Sequence, residues 1–129
     1  ILAKVKLAGK ADEVVETLNI SERKRLELAR ALAMDPEVII LDEVMAGSNV
    51  AELNMIMDLI RTLNAEGKTI VLIEHVMKAI MGVSQRIIVL HHGEKIATGT
   101  PEEIGNNEMV ISAYLGERYA KARGKHAES

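Results

Sequence analysis

The stretch Val38-Ile39-Ile40-Leu41-Asp42-Glu43 runs four aliphatic residues, three of them β-branched, straight into two carboxylates. It is strand-sized, far short of the ~20 apolar residues a membrane span needs. Its lack of polar alternation predicts a strand covered on both faces. Two further β-branched runs, Thr69 to Ile73 and Arg86 to Leu90, follow with helical patterns between them. Strands alternating with helices predict α/β architecture with mainly parallel strands. A fourth run, Lys95 to Thr98, follows His92-Gly93-Glu94 closely enough to return as a hairpin.

The helices between these strands carry their own start and stop signals. Ser21 is placed to cap a helix running to about Met34, with Leu26, Ala29, Leu32 and Ala33 inward and Asp35-Pro36 as its stop. Asn49 with Glu52 predicts a capping arrangement for the next helix, whose buried stripe is Leu53, Ile56, Ile60 and Leu63 and whose end is Gly67. Thr100, Pro101 and Glu103 supply an N-cap, a first-turn proline and a capping-box glutamate for a short helix. The tail from Lys121 to Ser129 is small and polar and is expected to fray.

Composition narrows the possible partners. With 129 residues the chain has the size of one domain, and 48% apolar with 27% charged residues argues against disorder. Phe and Trp are absent, which removes the stacking platforms of single-stranded nucleic-acid binders. A formal net charge of −3 gives no overall field toward nucleic acid or an anionic membrane, so no nucleic-acid partner is expected. Absence of cysteine excludes disulfides and thiolate metal sites and fits a reducing cytosol. The chain opens on Ile1-Leu2 without an initiator Met or a signal pattern, which reads as a cut end.

In an open parallel sheet, ligands collect at the C-terminal strand ends, where Asp42 and Glu43 stand. An aspartate there can hold Mg²⁺, and the next carboxylate can polarise a water for attack on a γ-phosphate. A buried strand ending in a solvated acidic turn accounts for the same hexapeptide. Glu74-His75 ends the next strand, and right-handed βαβ winding brings both ends to one edge, which favours a phosphate-sensing histidine. The adjacent His91-His92 is discounted as a metal pair because neighbouring strand residues point to opposite faces. Charges between Glu22 and Arg30 are expected on a solvated helix face, and Met55, Met57, Met77 and Met81 in the core or an interface.

Leu26-Glu-Leu-Ala-Arg-Ala-Leu-Ala33, then Asp35-Pro36, the acidic strand and Glu74-His75, resembles the C-terminal order of an ABC ATPase. The resemblance implies a partial P-loop NTPase (RecA-like) fold lacking the phosphate-loop half. It divides the chain into 1–18, the end of a helical subdomain; 19–34, the signature loop and helix; 35–99, the acidic-strand to switch-histidine core and hairpin; and 100–129, C-terminal helices and tail. By the same resemblance Asp42 is the Walker B aspartate and metal ligand, Glu43 the catalytic glutamate and His75 the switch histidine. Asn19, Ser21 and Glu22 correspond to the signature loop that meets nucleotide across a dimer. Gly47, Ser48 and Asn49 correspond to the D-loop. Implied cofactors are ATP and Mg²⁺. Implied partners are a second ATPase subunit and integral membrane permease subunits, holding the protein at the cytoplasmic face of the cell membrane.

Segments Ile73-Glu-His-Val-Met-Lys-Ala-Ile-Met-Gly-Val-Ser-Gln-Arg86, Gly99-Thr-Pro-Glu-Glu-Ile104 and Ser112-Ala-Tyr-Leu-Gly116 resemble ATPases of branched-chain amino acid importers, with related amide or urea importers as the alternative. Two departures stand out. Leu18-Asn19-Ile20-Ser21-Glu22 replaces the usual Leu-Ser-x-Gly-Gln, setting a Cβ where backbone approaches phosphate, and Val44 replaces a common proline. No Gly-x-x-x-x-Gly-Lys-Ser/Thr occurs anywhere, since Lys4 and Ala11 spoil the match around Gly9-Lys10. The resemblance therefore implies a chain without ATPase activity of its own, or a non-catalytic module that forms a homo-oligomer. A DNA-repair or translation ATPase is disfavoured by the importer-like C-terminal segment and the lack of a basic or aromatic surface.

Overall fold

The computed structural model describes residues 1–116, so the tail from Lys121 onward lies outside the described residues. Contacts divide the chain into two compact units, Ile1–Val83 and Ser84 onward. The first unit holds helix α1 (Ile20–Ala33), strand β1 (Val38–Asp42), helix α2 (Val50–Ala65), strand β2 (Thr69–Ile73) and helix α3 (Met77–Val83). Short 3₁₀ turns at Ala8–Lys10 and Val15–Thr17 precede α1. The second unit holds strands β3 (Ile87–His91) and β4 (Glu94–Gly99) and helix α4 (Pro101–Gly105), with residues 108–116 also helical.

β1 and β2 pair in parallel, Val38 opposite Thr69 through Asp42 opposite Ile73. Among the described residues, parallel pairing is confined to these two strands. β3 pairs with β4, antiparallel, with an irregularity between Val89 and Leu90. Its two-residue turn, His92-Gly93, has φ of 49° and 81°, the doubly positive pattern whose twist suits a tight hairpin. In this unit Ile87, Ile104 and Val110 are buried.

The core of the first unit lies under one face of β1 and β2. Ile39 and Leu41 enter it from the sheet, Leu53, Ile56, Met57, Ile60 and Leu63 from α2, and Leu28 and Ala29 from α1. The four α2 residues expected to form its stripe are all buried, each stabilising by roughly 1.5–3 kcal/mol. The expectation of strands covered on both faces fails in this unit. Burial alternates along β1, and Val38, Ile40, Val71 and Ile73 are left exposed on the other face.

Helix ends follow local chemistry, with one correction. The N-cap of α1 is Asn19, not Ser21: its Oδ1 accepts from Glu22 N–H at 2.9 Å, while Glu22 Oε2 accepts from Asn19 N–H at 3.0 Å. A glutamate three residues on completes the box for Asn19 and not for Ser21. Of the predicted inward set, Ala29 is buried, Leu26 and Leu32 are half-buried, and Ala33, in the last turn, is exposed. Asp35 ends the helix at φ 48°, and Pro36 blocks continuation. The α2 end is a Schellman motif, with Lys68 N–H to Leu63 C=O and Gly67 N–H to Asn64 C=O both at 3.0 Å, and Gly67 at φ 91°.

Candidate active site

Parallel register brings the C-terminal ends of β1 and β2 to one edge. The ladder runs one residue past Asp42, where Glu43 N–H donates to Ile73 C=O at 2.9 Å. The chain then turns sharply, with Glu43 at φ 49° and Ala46 N–H closing on Glu43 C=O at 3.2 Å. A left-handed non-glycine residue costs roughly 1–2 kcal/mol, so the surrounding bonds must hold Glu43 there. His75 lies two residues beyond Ile73, and its Nδ1 stands 3.6 Å from Glu43 Oε1. That is an ion-pair distance, longer than a hydrogen bond. Both side chains are more than half exposed, and Asp42 is exposed beside them.

The two-residue period of a strand explains this grouping. Asp42 continues the exposed positions Val38 and Ile40, and His75 continues Val71 and Ile73, so both belong to the open face. Glu74 falls on the covered side. Its Oε1 accepts from Met45 N–H at 2.8 Å, and Met45 is only 2% exposed.

A cleft of about 720 Å³ lies between the start of α1 and the turn after β1, lined among others by Asn19, Ser21, Lys24, Gly47, Ser48 and Glu52. The structure thus brings the predicted signature-loop residues Asn19 and Ser21 together with Gly47 and Ser48. Glu22 and Asn49 do not line it. Glu22 is engaged with Asn19 and, at 3.3 Å, with Lys10, and Asn49 caps α2 through Glu52 N–H at 2.9 Å. The Ser21 hydroxyl, and then the Asn49 N–H, hold the Glu52 carboxyl below its ordinary range. Glu22 is lowered chiefly by the Asn19 N–H.

Sequence reasoning missed three anchors among charges taken as solvated. Lys24 Nζ donates to Ala46 C=O at 2.6 Å, Arg23 to Leu18 and Glu16 carbonyls at 2.9 Å, and Arg25 to Val5 and Lys6 carbonyls at 3.2 Å. Helical spacing alone does not show which loop carbonyls lie within reach. Glu74 was also unassigned, although strand alternation already put it inside. His91 and His92 touch edge to face, ring centroids 4.1 Å apart, because His92 has left the strand for the turn. Among the described residues no group of three or more His, Asp or Glu side chains stands ready to encage a metal ion, and no helix is long and apolar enough to cross a membrane.

Comparison with known proteins gives this geometry its context. Residues 1–46 match the model of the ABC transporter family, and residues 94–120 match that of the branched-chain amino acid ATP-binding cassette transporter. The high-affinity branched-chain amino acid transport ATP-binding protein LivG of Salmonella typhimurium is 45% identical over 90% of this chain and 46% of its own length. The corresponding protein BraF of Pseudomonas aeruginosa is 42% identical over the same shares. A lipopolysaccharide export system ATP-binding protein, LptB of Acidithiobacillus ferridurans, is 36% identical over 92% of the chain and 49% of its own. The chain spans about half the length of the curated relatives it matches. Among solved structures, the ADP conformation of an ATP-binding cassette of an ABC transporter superposes with a TM-score of 0.80 at 27% identity, covering 89% of this chain and 47% of that one. With sequence and fold agreeing over almost all of its length, the chain belongs to the ATP-binding domains of ABC transporters.

Proposed function

We propose that this chain carries the hydrolytic edge of an ABC transporter ATPase and works together with a phosphate-binding segment that its own sequence lacks. The observation that carries the reading is the approach of His75 to Glu43, 3.6 Å apart at the strand end where Asp42 also stands. Glu43, exposed at the strand end, accepts a proton of a water and orients it for in-line attack on the terminal phosphate. His75, on the same edge, donates to the transferring group or to Glu43. Asp42 fits Mg²⁺, which asks for one or two carboxylates and completes its shell with water and phosphate oxygens. When bound, that ion supplies charge neutralisation at the β- and γ-phosphates.

The cleft at Asn19, Ser21, Gly47 and Ser48 serves a second ATPase subunit in this reading, and permease subunits hold the protein at the inner face of the membrane. Branched-chain amino acid import is the transport we propose. It is supported by the family match over residues 94–120 and the names of the LivG and BraF relatives, while the LptB relative supports only the ATPase. In an ATPase containing this sequence behind a phosphate-binding loop, Glu43→Gln should slow hydrolysis by roughly 100-fold or more with ATP affinity largely kept, and His75→Ala should impair it too. The 129-residue chain alone should show no turnover. Near-normal hydrolysis by the Glu43→Gln protein, or metal-dependent turnover by the chain alone that Glu43→Gln abolishes, would overturn the reading.

A further inference from the structure

Glu74 sits between the strand that ends at Ile73 and the exposed His75, and strand alternation turns it to the covered face with Ile70 and Leu72. That face is otherwise apolar, and a carboxylate there loses hydration unless it is bonded. One oxygen, Oε1, accepts from Met45 N–H at 2.8 Å; the other, Oε2, is buried without a hydrogen-bond partner among the described residues. Stability alone does not call for such a group, because an apolar side chain of similar volume would cover the same surface without an unpaired oxygen. The group is spent on one backbone donor. That donor belongs to the turn that carries Glu43.

The turn is fixed at several points, among them the Lys24 Nζ bond to Ala46 C=O at 2.6 Å and the Ser48 N–H bond to Met45 C=O at 3.1 Å. Glu43 N–H holds to Ile73 C=O, Ala46 N–H closes on Glu43 C=O, and Met45 inserts its side chain into the core while its N–H holds to Glu74. Of these, two are made by side chains: the exposed bond of Lys24 to a carbonyl, and the part-buried bond of Glu74 to the Met45 N–H. The latter also joins the residue directly before His75 to the residue two after Glu43. We propose that Glu74 is a positioning residue: by clamping Met45 N–H it keeps Glu43 in its left-handed conformation and within reach of His75. The inference rests on the hydrolytic reading above and adds a residue that acts through the backbone of the turn.

The test compares three variants in an ATPase containing this sequence. Glu74→Leu removes the acceptor at similar volume; it should lower kcat by about 100-fold, the scale of a misplacement near 1 Å, with KM for ATP within about twofold. Glu74→Gln keeps an oxygen for Met45 N–H and should restore most of kcat. Replacing the Met45 amide by an ester removes only the donor, leaves every side chain in place, and should match Glu74→Leu whether or not the latter folds well. In the 129-residue chain, hydrogen exchange at Met45 N–H should accelerate in Glu74→Leu and stay slow in Glu74→Gln. Wild-type kcat in the Met45 ester, or equal loss in the Leu and Gln variants, would overturn the clamp while leaving a dead Glu43→Gln protein to uphold the hydrolytic reading. If Glu43→Gln itself turns over normally, both fall.

Discussion

At the scale of the residue, Glu43 couples chemistry to backbone strain. Its φ of 49° is a conformation that β-branched residues resist most, glycine not at all, and glutamate at moderate cost. Urea unfolding of the chain should therefore rank Glu43→Val below Glu43→Gln by about 1–2 kcal/mol, with Glu43→Gly close to Gln because relief of strain is offset by unfolded-state entropy. Equal stability of the Val and Gln variants would mean that the turn relaxes and the strain is not held. Only part of this site was legible beforehand. Asp42, Glu43 and His75 could be read from sequence because two strand ends and a crossover of helical length specify one edge. The Glu74 clamp and the Lys24 bond to Ala46 C=O could not, since each depends on a loop carbonyl or amide whose place no periodicity encodes.

At the scale of the element, three helices open with reciprocal capping boxes, Asn19 with Glu22, Asn49 with Glu52 and Thr100 with Glu103. The last two were read correctly from spacing. The first was assigned to Ser21, two residues late, because hydroxyls and amides cap about equally well and only the position of Glu22 decides between them. Asn49→Ala should cost about 1 kcal/mol in urea unfolding, read as a lower midpoint at unchanged slope. No loss would show that the Ser21 hydroxyl on Glu52 suffices to start α2. The boxes also set an acid limb. Glu22 and Glu52 are held below their ordinary 4.5, and Asp35 below 3.8 by its bond to Lys68. Lowered carboxylates contribute stability that is full above the ordinary pKa and lost as pH falls through the folded one. The melting temperature should therefore decline as pH drops below about 4.5, and Glu52→Gln should flatten that decline; an unchanged acid limb in Glu52→Gln would remove the cap from the account.

At the scale of the whole molecule, the strands of the first unit were written for a sheet with two covered faces and have one. Val38, Ile40, Val71 and Ile73 are 54%, 66%, 45% and 51% exposed, an apolar stripe crossing both strands on the face where Asp42 and His75 emerge. Among the described residues the sheet has two strands, so each has one edge whose N–H and C=O groups pair with no described strand. An apolar face beside open edges is the setting in which chains add to one another, most economically through a two-fold contact that covers the same stripe on both copies. The 129-residue chain should therefore self-associate at low micromolar concentration, measured by light scattering. Ile40→Thr with Val71→Thr, which keeps β-branching on the exposed face while lowering its apolarity, should shift it toward monomer without altering the far-ultraviolet circular dichroism. In the proposed ATPase a phosphate-binding segment would compete for that same stripe, so adding such a segment should dissolve the association. A monodisperse wild-type monomer at these concentrations, with the stripe open to a hydrophobic dye, would show that water tolerates this face and would sink the idea.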